Sequence, residues 1–445
     1  LPISRELFST LEHRMHRRNF STHARWRTNA SATLALAVAF ALSAVAAGAW
    51  AQTSAKPEGL TLGQAFEAAW ARQPELAALA ARRDAARAQQ QAAQSWTPEP
   101  VAVEVSGKTD RLNRNVGARE YEAGLAIPLW LPGERGRSQA LAQAEGRAVE
   151  SRTTAAQLRV AAAVREAWWN WQRARADAAT AQGQLDNAQR IAADVGKRLK
   201  AGDLAQADQH QADGAVAAVQ ATVAQAQAVV IVAEQSLRAL VASPGLALTA
   251  GTGDLIAEPE PGSSGTDMDM HGELLALKDR ASVAEGVVAL AATQSRANPE
   301  LMIATTRDRG ASGEAWQQTF TVGVRIPFGA GPRHDARTAA ARAETIELQA
   351  QLNLERARLA AERDSAKART ESARLQLAAA ELRARLARES RGFFDKSFRL
   401  GETDLPTRLR IEAEAAEADR QAARARIELA AAISAWRQAL GLLPQ

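Results

Sequence analysis

Two stretches of the chain alternate apolar and polar residues with period two. In "PEPVAVEVSGK", Val101, Val103 and Val105 share one side, and Ala102, Glu104 and Ser106 the other. In "AWQQTFTVGVRIPF", Trp316, Phe320, Val322, Val324 and Ile326 oppose Gln317, Thr319, Thr321 and Arg325. This alternation predicts strands with one apolar face. Each strand is expected to pair with a neighbour across a polar turn, Gly107–Ala118 in one case and Asp308–Ala315 in the other. Tyr121 and Leu125, in the paired strand "YEAGLAIPLW", are assigned to the same apolar surface. A run of about ten residues is also the length of a tilted strand that crosses a bilayer.

Most of the remaining sequence has helical periodicity. One helix is predicted from Glu134 to Lys200, 67 residues, or roughly 100 Å at the α-helical rise. A second runs from Arg333 to about Arg399. One register of it reads Leu352, Leu359, Ala366, Ala373, Ala380, Ala387, Phe394. Unbroken seven-residue spacing predicts helices packed side by side, with alanines allowing close approach.

The pattern occurs twice. Gly124, Ile127 and Pro128 match Gly323, Ile326 and Pro327 at an offset of 199, which Gly202 and Gly401 share. "PELAAL" from Pro74 resembles "GELLAL" from Gly272, and "TPEP" from Thr97 resembles "NPEL" from Asn298. Each half reads as helix, two strands, one very long helix, a glycine break and a returning helix. Residues 52–242 form the first repeat and 271–445 the second. The Gly-, Pro- and acid-rich stretch 243–270 between them is expected to lie outside the helical packing.

Composition narrows the class. Apolar residues make up 46% but aromatics only 4%, as in long Ala- and Leu-rich helices. Cysteine is absent, which excludes disulfides and thiolate metal sites. Residues 1–51 hold six Arg and two Glu, hence +4 of the formal +5. The basic balance therefore carries no nucleic-acid signature. A basic region, the apolar "LALAVAFALSAVAA" and the small-x-small "AWA" predict a cleaved signal peptide over 1–51. No other apolar run is read as long enough to be a spanning helix.

If the strands cross a membrane, four per chain cannot close, and an open edge is not tolerated in lipid. Known closed barrels begin at about eight strands, so the chain must oligomerise. At this point the residues resemble a family. The duplicated plan, the paired "IP" strand ends and the "RLKAG" and "RLG" breaks are similar to TolC-like outer-membrane factors. "SFRLGETDLPTRL" and "KAGDLAQAD" look most like the CzcC-like heavy-metal branch. The resemblance implies a homotrimer in outer-membrane lipid, with a 12-stranded β-barrel continued by an α-helical barrel through the periplasm. It implies two partners, a periplasmic adaptor and an inner-membrane pump of the RND type.

By the same resemblance, Arg198, Leu199 and Gly202, with Arg399, Leu400 and Gly401, form adaptor-docking tips at the periplasmic end. The periplasmic aperture falls at Glu402, Asp404, Thr407 and Arg410. Relatives carry an acidic ring there; Thr407 and Arg410 depart from it, and Arg410 is expected to reverse the local sign. The lipidated cysteine that many relatives carry is also missing. The lipid-facing set is Val101, Val103, Val105, Tyr121, Leu125, Trp316, Phe320, Val322 and Val324.

Catalytic chemistry finds no support in the sequence. There is no nucleophile elbow, P-loop or dinucleotide fingerprint, and no cofactor is expected. "MDMH" supplies the only weak metal candidates, Met268, Met270 and His271, a thioether and imidazole set suited to a soft ion. The reading is a heavy-metal exit duct. The alternatives are a multidrug or type I secretion duct and, more remotely, a secreted coiled-coil structural protein.

Overall fold

The computed structural model describes residues 60–241, 257–262, 267–329 and 331–445. The predicted signal peptide and most of the inter-repeat segment lie outside these residues.

The first half begins with α1 (Leu62–Trp70), whose start is fixed by a reciprocal capping box between Thr61 and Gln64. Next come α2 (Pro74–Ala93), β1 (Ala102–Thr109), β2 (Arg119–Pro128), α3 (Glu134–Ala201) and α4 (Gln206–Val241). The second half runs α5 (Gly272–Thr293), β3 (Glu300–Arg309), β4 (Gln317–Arg325), α6 (Gly331–Arg399) and α7 (Leu405–Ala439). Helix, two strands, long helix and returning helix occur in both halves, while α1 has no counterpart in the second half among the described residues; α2 and α5 begin at the residues the repeat aligned. Of the long helices, α3 has 68 residues and α6 has 69. Ile326 and Pro327 fall just past β4, whereas Ile127 and Pro128 lie within β2.

The four strands form one antiparallel sheet in the order β1-β2-β3-β4. Both hairpins pair in chain order, and β2 pairs with β3 to join the two halves. Among the described residues, the outer edges of β1 and β4 have no partner.

The largest core lies where α1, α3, α4 and α7 meet. Phe66 and Trp70 pack there with Trp168, Trp169, Trp171, Leu237 and Ile427. Away from it the helices touch through smaller residues. Leu359 and Ala366 of the heptad register are buried, and its other members are half-buried. A second α6 stripe, Leu375, Leu382, Leu386 and Phe393, stays exposed.

Two sequence expectations need correction. The inter-repeat segment does not lie wholly outside the helices. Glu258 is buried, and its carboxylate receives Arg165 Nη2 at 2.7 Å and Arg437 Nε at 3.1 Å. The Ser434 hydroxyl donates to it as well. Two guanidinium groups on α3 and α7 thus draw an acid from the segment into the packing. Second, α4 is long and apolar enough, by length and composition, to cross a membrane. Its sequence mixes Ala and Val with Gln, so no solid apolar run stands out. Here it lies along α3 and leaves Val229, Ile231 and Val232 exposed.

Candidate docking tips and barrel strands

Both tips close by the same hydrogen bonds. At the end of α3, Gly202 adopts φ 86° and donates to Leu199 O at 3.0 Å, while Asp203 N–H donates to Arg198 O at 2.9 Å. At the end of α6, Gly401 adopts φ 80° and donates to Phe398 O at 3.1 Å, while Glu402 N–H donates to Ser397 O at 3.0 Å. This is the Schellman closure, and the left-handed residue is glycine because a Cβ resists that conformation. It accounts for both breaks in otherwise regular helices.

The closure places the two Arg-Leu pairs differently. The hydrogen-bond register aligns Leu199 with Phe398 and Lys200 with Arg399. Arg198 points inward: its Nη1 donates to Phe398 O at 2.9 Å, and its guanidinium stands 4.9 Å from the Phe398 ring. Arg399 stays on its own helix, paired with Asp395. Leu199 is half-buried, whereas Leu400 is 75% exposed. A Cβ on Gly202 or Gly401 would meet nothing within 4 Å, so only the positive φ opposes substitution there.

Sequence reasoning missed the residues that join the tips. Phe398 is fully buried between two cations, with Arg408 4.6 Å from its ring on α7. Arg408 also pairs with Asp395 at 2.7 Å and with Asp194 at 3.4 Å. Ile191, Val195, Ala212 and Leu405 complete this cluster. The two hairpins therefore end in one packed unit. Its one sequence signal is Phe398 standing at the repeat position of Leu199.

Around the expected aperture, Asp404 caps α7 by accepting Thr407 N–H at 3.2 Å. The Thr407 side-chain and backbone hydrogen bonds hold its carboxyl below the ordinary range. Glu402 accepts weakly from Ser397 Oγ at 3.4 Å. Arg410 pairs with Glu414 one turn on, at 2.6 Å.

The sheet register unites the strand residues. Val103 opposes Leu125, Leu125 opposes Ile303, and Ile303 opposes Val322. By strict alternation, Val101, Val103, Val105, Tyr121, Leu125, Phe320, Val322 and Val324 share one face, and all are exposed in the single chain. Trp316 precedes β4 and completes that face, its ring 5.8 Å from Tyr121 and beneath the guanidinium groups of Arg307 and Arg309. The other face carries Glu104, Lys108, Glu120, Glu122, Thr306, Thr319 and Thr321.

The metal candidates do not converge. His271 caps α5, its Nδ1 accepting Glu273 N–H at 3.3 Å, and its ring packs on Gly441. Met268 and Met270 belong to a short 3-10 turn, and Met270 is exposed. Among the described residues, no group of three or more His, Cys, Asp or Glu could hold a metal ion.

This sheet and these hairpins can be compared with known proteins. Residues 65–243 match the outer membrane efflux protein family. That family is one of channels, not enzymes. No curated protein matches the sequence. Solved structures share the fold: CusC matches with a TM-score of 0.71 at 19% identity, covering 86% of this chain and 92% of that one. The CmeC outer membrane channel of Campylobacter jejuni matches at 0.68 and 15% identity, covering 86% of each chain. VceC, an outer membrane protein of Vibrio cholerae, matches at 0.67 and 18%, covering 85% and 96%. The fold is thus that of outer-membrane channel chains, mostly helical with a four-stranded antiparallel sheet.

Proposed function

We propose that this chain is one third of an outer-membrane exit duct reaching into the periplasm. The observation that carries the reading is the sheet: four strands, one face apolar along most of its length with arginines at the turn end, one polar face and two edges unpaired among the described residues. In lipid those edges must be satisfied. The order β1-β2-β3-β4 lets β4 of one copy pair antiparallel with β1 of the next, and three copies, the number the TolC-like resemblance implies, would give 12 strands. The exposed stripe on α6 and the exposed apolar residues of α4 give neighbouring copies surfaces to pack below the barrel. The repeats 52–242 and 271–445, with 243–270 between them, supply the two hairpins per copy.

The tips meet a periplasmic adaptor, which connects the duct to an inner-membrane RND-type pump. Leu400 is the apolar residue standing free at that end, as interface residues often do. Heavy-metal cations are the cargo we assign, on the resemblance of "SFRLGETDLPTRL" and "KAGDLAQAD" to the CzcC-like branch. The test is tolerance of zinc, cobalt, cadmium and copper in cells that carry the matching pump and adaptor. Leu400→Asp or Gly401→Val should abolish tolerance while a heat-resistant trimer band persists on a gel. Full tolerance in both variants would remove the docking role. Loss of the trimer would make these residues structural only.

A further inference from the structure

Between α3 and α5 lies a groove of about 750 Å³, flanked by Arg82 of α2 and Glu355 of α6. Its floor is apolar, with Val149 and Leu277 among the lining residues. The α3 residues that face it, Glu145, Val149, Arg152 and Arg159, recur at three-, four- and seven-residue spacing on one side of the helix. The groove is therefore built by regular helix faces and not by a loop.

Its charges are unevenly matched. Arg82, Arg152 and Arg280 make no hydrogen bond or ion pair among the described residues, and they come from three different helices. Among the described residues Arg159 reaches only Glu75, at 4.0 Å. Two of the lining carboxylates are already held: Arg358 binds Glu355, and it binds Glu273 at 3.2 Å. Glu145 has no cationic partner among the described residues, and burial pushes its carboxyl up. Unmatched guanidinium groups over an apolar floor form a receptor for one kind of molecule. The guanidinium fork takes carboxylate, sulfonate or phosphate oxygens in pairs, and the volume lies within the range of small-molecule sites, about 300–1,000 Å³.

We propose that this groove binds an anionic amphiphile, with a single acidic head set among Arg82, Arg152 and Arg280 and an apolar body on the Val149 and Leu277 floor. A cationic ligand of the same shape is disfavoured, because Glu145 is the one unmatched acid against these arginines. The site needs neither the tips nor the adaptor, and it is separate from the cargo assignment.

The test uses the assembled full chain in lipid nanodiscs, with empty nanodiscs as background. Isothermal titration compares 1-naphthalenesulfonate with 1-naphthylmethylammonium, probes of the same ring and opposite charge. Saturable binding of the sulfonate alone is expected. Arg152→Gln combined with Arg280→Gln should weaken it about tenfold or more, since two charge-assisted contacts are lost. Glu145→Gln should tighten it severalfold, a result that a folding defect cannot imitate. The proposal is overturned if the sulfonate fails to bind, which includes a groove covered by a neighbouring copy. Equal binding of both probes, or indifference to all three substitutions, overturns it as well.

Discussion

Removing the buried acid that ties the inter-repeat segment to the helices should be among the most damaging single changes in the chain. In Glu258→Ala, Arg165 and Arg437 lose their shared carboxylate while 5% and 6% exposed. Both keep other acceptors: Arg165 still reaches Leu442 O at 3.0 Å, and Arg437 reaches Pro259 O at 3.1 Å. Those carbonyls hold the side chains in place without neutralising them. Breaking a buried pair by deleting one partner costs about 3–5 kcal/mol, because a charge is left uncompensated. Here two like charges remain together, which places the change at the upper end. An exposed pair gives the scale: Glu428→Ala breaks the contact with Arg173, whose side chains are 35% and 51% exposed, and should cost about 0–1 kcal/mol. Thermal unfolding followed by circular dichroism at 222 nm should show a much larger fall in Tm for Glu258→Ala than for Glu428→Ala. The triple replacement Arg165→Met, Glu258→Leu, Arg437→Met removes every charge and should recover most of the loss. Equal, small shifts for Glu258→Ala and Glu428→Ala would refute the reasoning, as would a triple variant less stable than the single one.

Three further outcomes follow from the faces and ends of the elements. Val322→Arg, on the apolar sheet face, should cost about 2–4 kcal/mol near the bilayer midplane, while Thr321→Arg on the opposite face is tolerated; equal loss of assembled protein on a gel would mean the faces are reversed. A cysteine at Asn113 should react with an impermeant thiol reagent on intact cells and one at Lys200 should not, and the opposite pattern would invert the orientation. Because Asp404 is held below its unfolded value, its cap contributes fully above the unfolded pKa and is lost as pH falls through the folded one. Hydrogen exchange at the Thr407 amide, compared with an uncapped helical amide, should therefore accelerate on acidification in the native protein but not in Asp404→Asn, and parallel behaviour of the two would remove the cap's role.

How much of this was legible depended on the range of the interactions. Strand faces follow from local alternation, so Val101 to Val105 and Phe320 to Val324 could be assigned from neighbours two apart. The tips were legible because Gly202 and Gly401 each interrupt a long helical run, and a left-handed residue leaves few alternatives to glycine. The Glu258 cluster was not legible. Its acid and its two arginines lie 93 and 179 positions apart, and nothing local distinguishes Glu258 from the neighbouring Glu260, which is exposed. The sandwich of Phe398 between Arg198 and Arg408 likewise exists only once three helices converge. The unequal roles of Arg198 and Arg399 depend on the turn's hydrogen bonds, which set the register of the two ends. The apolar length of α4 was diluted by its glutamines, which leave the average hydropathy high without an unbroken run.

In the proposed assembly, one chain supplies four strands of a barrel that only further copies can close. Native mass spectrometry of the protein released from lipid nanodiscs counts those copies directly. A single species of three chains is expected. A folded monomer or a dimer as the membrane-inserted form would leave the edges of β1 and β4 unsatisfied or the strand count at odds with 12, and would contradict it.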